Sequence, residues 1–349
     1  MRVPRRLVAA VVLLAVSLTA GLPASAAGMN GPLADFQAQL SAYSLRAPGH
    51  VGIAIEDVKT GATSGINSGA EMPAASTIKI PVMVEVFSQL IAGKFDLNTK
   101  LQLRRSDKDW GSGDLCGARV GSSYTVERLL SLMIDVSDNT ATNMLIRRVG
   151  RQHINASMEE LGLSHTRLSD FIRSEGPSIR WALRSSPADM MHLLGKMAKD
   201  ELVDEWSSKQ MIAILRGQRH NGLLPQPLPA GTDIAHKTGT LHDTLNDVGI
   251  VYGATGDDPY IIAVMTTDLP TLESGRRFIR GVSKMAYTAL GKFAALSRDG
   301  DFDALPESER AAPLTPEQKM WEPQNVPAAP PASSGTPAEA PTAAPEPQS

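Results

Sequence analysis

The chain has 349 residues, a formal net charge of -3 at pH 7 with both signs mixed along its length, and one cysteine. That balance argues against a nucleic-acid-binding surface. Lone Cys116 rules out an internal disulfide, so stability has to come from an apolar core, which a chain of this length can build.

The two ends differ in character from the middle. Arg2, Arg5 and Arg6 precede an uncharged run over residues 7–18, and Ala24-Ser25-Ala26 follows. This is the pattern of a secretory signal over residues 1–26, too short in its apolar part for a membrane span. Residues 27–296 read as one catalytic domain. Residues 301–349 hold 11 prolines among alanine, glutamate and serine, so 297–349 reads as a Pro/Ala-rich disordered tail. The expected product is a secreted or cell-wall-associated monomer without a stable membrane span.

In chain order, residues 32–45 predict a helix with Leu33, Phe36, Leu40 and Tyr43 near one face. Residues 51–57 predict a strand, and glycines 61, 65 and 69 punctuate a short second strand. Ser76 opens a helix running to about Gly93; almost all of 80–87 is apolar, as in a buried helix. Residues 107–113, with Trp110 among glycines, read as an exposed loop at a cleft edge. Thr125 caps a helix over 126–136, Ser137-Asp138-Asn139 interrupts it, and 140–149 resumes helically. A helix follows at 155–161, then a long irregular loop over 166–186. Ser186-Pro187 has the cap-then-proline signature of a helix over 188–199. After a helix at 207–215, residues 234–240 are extended, 248–252 and 260–266 form a hairpin turning at Gly256-Asp257-Asp258, and 273–293 closes the fold helically. Strands from both ends of the domain can meet in one antiparallel sheet with helices on its faces, an α+β arrangement.

Ser76 and Lys79 stand three residues apart at the head of an apolar helix, on one face, so the lysine can reach the serine hydroxyl. Burying that lysine demands a partner or a lowered pKa, and either makes it a base. Two further signals follow in order, Ser137-Asp138-Asn139 and Lys237-Thr238-Gly239. Ser-x-x-Lys, Ser-Asp-Asn and Lys-Thr-Gly together are far more specific than any one of them. With Gly111-Ser112-Gly113, Thr166-Arg167-Leu168, Pro187-x-Asp189-Met190 and Leu228-Pro229-Ala230-Gly231, the chain resembles, over residues 33–295, the class A β-lactamase superfamily of penicillin-recognising serine hydrolases.

The resemblance implies a β-lactamase/transpeptidase-like α/β fold, an antiparallel sheet flanked by helices with an all-helical lobe, and no cofactor or metal. It implies Ser76 as acylating nucleophile, Lys79 as its base and Ser137 as proton relay to the leaving nitrogen. It also implies Asn139 at the substrate's side-chain carbonyl, and Lys237 with Thr238 and Thr240 at its carboxylate. The backbone N–H groups of Ser76 and Thr240 would form an oxyanion hole beside Gly239; Trp110, on the glycine-flanked loop, is read apart from the resemblance as closing the near side of the site. Such a site takes a small-molecule β-lactam or a peptidoglycan-like substrate.

One departure stands out. Aligned through Thr166-Arg167-Leu168, the loop glutamate that activates the deacylating water in the family falls on Ile172. Glu175 is the preferred substitute, with Asp170 a second acid nearby. Without one, acylation proceeds and deacylation is slow, and a D,D-carboxypeptidase, an esterase/amidase or a slowly deacylating penicillin-binding protein are the alternatives to β-lactam hydrolysis. His236, next to Lys237, is expected to point away from the site because strand neighbours face opposite sides.

Overall fold

The computed structural model describes residues 32–174, 179–253 and 259–290. The proposed leader, the proline-rich tail and Glu175 therefore lie outside the described residues, as does the Gly256-Asp257-Asp258 turn. In chain order the elements are α1 (Pro32–Ser44), β1 (His50–Asp57), β2 (Thr63–Ile66), β3 (Met72–Pro73), α2 (Lys79–Ile91), β4 (Lys100–Gln102), β5 (Ser123–Thr125), α3 (Val126–Asp135), α4 (Asn139–Val149) and α5 (Arg151–Glu160). There follow β6 (Arg167–Leu168), α6 (Ile179–Ala182), β7 (Leu183–Ser185), α7 (Pro187–Ala198), α8 (Glu205–Arg216), β8 (Ile234–Leu241), β9 (Thr244–Val251), β10 (Tyr260–Thr267) and α9 (Leu272–Ala289).

The main sheet has the order β2-β1-β10-β9-β8, antiparallel throughout. Its N-terminal strands and its C-terminal strands meet where β1 pairs with β10. Side chains alternate between two cores, as the two-residue strand period requires. On β10, Ile261, Ala263 and Met265 join the helical lobe, whereas Tyr260, Ile262 and Val264 join the core under α1 and α9. With both faces covered, every residue of β10 is buried. Phe36 and Leu40 of α1 enter that second core, and Tyr43 stacks on Phe278 of α9 at 5.1 Å.

The first core is the helical lobe around α2, which is buried nearly all round and therefore apolar nearly all round. Its neighbours start at side-chain caps: Thr125 Oγ1 accepts from Arg128 N, Asp138 Oδ1 from Ala141 N and Ser186 Oγ from Asp189 N. Each cap contributes about 1 kcal/mol. The Ser76 helix differs from expectation in one respect. Residues Ala75–Ile78 form a 3₁₀ turn and α2 begins at Lys79. At three residues per turn, positions i and i+3 eclipse each other, so Ser76 and Lys79 still share a face. The stretch 166–186, read as irregular, holds β6, α6 and β7, and β7 pairs with both β3 and β6. Strands of two or three residues show too little alternation to register in a sequence pattern.

Candidate active site

Ser76 lies half-buried on its 3₁₀ turn, and Ala75 before it takes the left-handed φ of 48°. A non-glycine residue there stores strain, which the surroundings must hold. They do so through Asn246 on β9. Its Nδ2 donates to Pro73 O (2.8 Å) and Ala74 O (3.1 Å), and its Oδ1 accepts from Thr266 N (3.0 Å). The Ser76 turn is thus tied to two strands of the sheet. Edge strand β8 passes against it so closely that a Cβ on Gly239 would sit 2.9 Å from Ala74 O and 3.1 Å from Ser76 N. Only glycine permits that approach. Just beyond, Thr238 is buried and Thr240 exposed, on the strand that ends the main sheet among the described residues.

Lys79 and Lys237 are both fully buried, and both turn to Ser137. Lys79 Nζ donates to Ser137 O (2.6 Å), Ser137 Oγ (3.0 Å) and Asn139 Oδ1 (2.7 Å). Lys237 Nζ donates to Ser137 Oγ (3.1 Å) and Thr238 O (3.0 Å). The Lys79 backbone N–H donates to Ser76 O, but among the described residues no hydrogen bond joins Lys79 Nζ to the Ser76 hydroxyl. Burial pushes the Lys79 pKa well below the usual lysine range and Lys237 adds to this, against smaller opposing effects of Asp138 and Asp109. Burial likewise lowers Lys237 to about 7, opposed by Asp247. Three acceptors match the three N–H bonds of a charged Lys79; when it loses a proton, its lone pair is free to accept one.

The Ser-Asp-Asn corner is built for this convergence. Ser137 itself takes a positive φ of 58°, and Asp138 caps α4 while its Oδ2 accepts from Leu115 N (2.8 Å). Asn139 N donates to Ser112 O (3.0 Å), which fastens the corner to the loop before it.

Several contacts at the site escaped the sequence reading. Asp109, read as part of an exposed loop, is only 6% exposed, and its Oδ1 accepts from Asn139 Nδ2 at 2.7 Å. Asn143, one helical turn beyond Asn139, accepts from Ile172 N (2.8 Å) and donates to Ile172 O (3.0 Å). His220, after α8, sits beside Val136, and its pKa is lowered to about 4, first by burial and then by Lys237. The motif gave signals for none of these, since each acts through contacts distant in sequence.

Of the expected peripheral residues, Trp110 stands 74% exposed with Lys108 Nζ 5.9 Å from its ring centroid. Ile172 is buried at 4% exposure in the lobe's core. Asp170 is exposed and turns to Arg151 (3.5 Å) and to Phe171 N. His236 points away from the site, buried between Asp247 Oδ1 (2.9 Å) and Asn221 Oδ1 (3.0 Å). Cys116 is a buried thiol whose pKa is raised by that burial. Among the described residues no group of three or more His, Cys, Asp or Glu is arranged to hold a metal ion, and no helix is long and apolar enough to cross a membrane.

This arrangement brings together a serine hydroxyl, two buried amines and a hydroxyl bridging them, groups that an acyl transfer through serine can use. Known proteins resemble the chain in fold and sequence. PBP-A is 32% identical, with a TM-score of 0.70 over 75% of this chain and 97% of its own. A β-lactamase from Sphaerobacter thermophilus DSM 20745 is 30% identical, with a TM-score of 0.68 over 75% of this chain and 98% of its own. The TLA-1 extended-spectrum β-lactamase, at 20% identity and a TM-score of 0.69, shares the fold. The model of the β-lactamase enzyme family matches residues 35–290, and the chain belongs to that family as a β-lactamase-like serine hydrolase.

Proposed function

We propose that the protein is exported and opens β-lactam amides through an acyl-enzyme on Ser76, releasing the acyl group slowly. Ser76 Oγ attacks the amide carbonyl carbon as its proton passes to Lys79 Nζ. The N–H groups of Ser76 and Thr240 receive the developing oxyanion. The C–N bond then breaks, and the nitrogen takes its proton from Ser137 Oγ, which recovers one from a neighbouring lysine. Asn139 holds the side-chain carbonyl, and Lys237, Thr238 and Thr240 hold the carboxylate. Trp110 forms the outer rim. The observation that carries this reading is the position of Ser137 Oγ, within 3.0 Å of one lysine and 3.1 Å of the other.

Slow release follows from Ile172. The loop position where the family resemblance puts the water-activating acid is apolar, and its backbone is fastened by Asn143. Glu175 is the remaining candidate base. The same feature favours the second reading, a D,D-carboxypeptidase or esterase/amidase acting on a peptidoglycan-like substrate. A mutant of PBP-A has been solved as an acyl-enzyme complex with penicillin G, which supports that compound as the probe.

The test is an intact-mass time course with penicillin G. The native chain should gain one penicillin mass and lose it slowly, and Ser76→Ala should gain none. Ile172→Glu should shorten the adduct's lifetime by about 100-fold, the scale of a positioned general base. An unmodified native chain refutes the β-lactam reading. A lifetime unchanged in Ile172→Glu refutes the account of slow release.

A further inference from the structure

We infer that Asp109 is a positioning residue for acylation: its buried carboxylate fixes the sense of the Asn139 amide and latches residue 174 beside it. The inference rests on the function proposed above.

The carboxylate has four donors. Asn139 Nδ2 (2.7 Å) and Gly111 N (3.0 Å) donate to Oδ1, and Ser174 N (2.8 Å) and Ser174 Oγ (3.1 Å) donate to Oδ2. A carboxylate offers about four lone-pair sites, so these are all in use. Asp109 is therefore not free to take a proton from a water at the acyl group, and its influence passes through its partners. Its backbone is held as firmly: Asp109 N donates to Thr140 Oγ1 (3.0 Å), which donates to Asp109 O (3.2 Å). Gly111 lies so close to Ser174 that a side chain at 111 would collide with it.

The consequence concerns Asn139. With Nδ2 toward Asp109, its Oδ1 faces Lys79 Nζ at 2.7 Å. The flipped amide would set oxygen against carboxylate oxygen and NH₂ against the lysine nitrogen, two repulsive contacts in a dry site. Asp109 thereby decides which end of the amide meets the base and which remains for a substrate carbonyl. Its charge also reaches Lys79. The charged groups acting there are Lys237 on β8, which lowers the lysine's pKa beyond the effect of burial, and Asp138 and Asp109, which raise it; His220 faces the same pair of lysines. Removing the charge of Asp109 lets the Lys79 proton leave at lower pH.

Acylation rates by penicillin G, measured against pH for the native chain, Asp109→Asn and Asp109→Glu, test this. Asp109→Asn should acylate about 10- to 100-fold more slowly at its optimum, the scale of a displaced reacting group. The acid limb of its profile should move to lower pH. Asp109→Glu keeps the charge but not the fit, so it should lose rate with the acid limb in place. A merely structural residue would move no limb. A folded Asp109→Asn with the native rate or an unmoved acid limb overturns the inference. If that variant does not fold, a native rate in Asp109→Glu overturns it. The same profiles are taken with a fluorophosphonate probe of Ser76. Labelling by that probe alone would sink the β-lactam reading and leave the fluorophosphonate rates to decide the role of Asp109.

Discussion

Ser137 carries one hydroxyl between two amines that are both out of water, and among the described residues neither lysine has a carboxylate oxygen as a hydrogen-bond partner. Burial without a salt bridge is what separates these lysines from surface ones and keeps their protons loosely held. For Lys237, with a pKa of about 7, the sign is direct. Below that pH it is charged and attracts a carboxylate; above it the side chain is neutral. The affinity for a non-acylating anionic ligand, such as the ring-opened penicillin product, should therefore fall as pH rises above 7. The slope should be up to about tenfold per unit while the bound and free pKa values differ. Calorimetric titration across pH 6–9 checks this on the order of a single residue, because Lys237→Ala should bind weakly with no such slope. A flat profile in the native chain would contradict the assignment.

At the scale of elements, the site is a junction of a 3₁₀ turn, a helix–helix corner, an edge strand and two loops. The first three were legible in the sequence because each announces itself within a few residues: Ser76 to Lys79, Ser137 to Asn139, Lys237 to Gly239. The loops were not. Asp109 reaches Asn139 across 30 residues and Ser174 across 65, and Asn143 reaches Ile172 across 29. No periodicity encodes such distances; a buried aspartate in a glycine-rich stretch looks like a solvated one until the tertiary contacts exist. The short pairing of β7 with β3 and β6 was hidden for a similar reason, its stability coming from neighbours rather than propensity. The Asn143 contact makes a prediction at this scale. Asn143→Ala would leave the buried N–H and C=O of Ile172 without their partner, at about 1–3 kcal/mol each. The melting temperature should drop by about 5–10 °C, read by calorimetry, and an unchanged value would show that the loop is held elsewhere.

Across the whole molecule, the sheet is what brings distant parts of the chain together. Pairing of β1 with β10 joins the two ends of the domain, β9 anchors the Ser76 turn through Asn246, and β8 carries Lys237 to the sheet's edge. The corner between α3 and α4 supplies Ser137, and α4 begins with Asn139. Two cores, one on each face of the sheet, keep these parts in register. The most direct measurement of the central claim is the mapping of the penicillin G adduct by tandem mass spectrometry after proteolysis of the quenched native protein. The predicted result is a single modified residue, Ser76, with labelling abolished in Lys79→Ala and strongly slowed in Ser137→Ala. An adduct on any other residue, or undiminished labelling of Ser76 in Lys79→Ala, would contradict it.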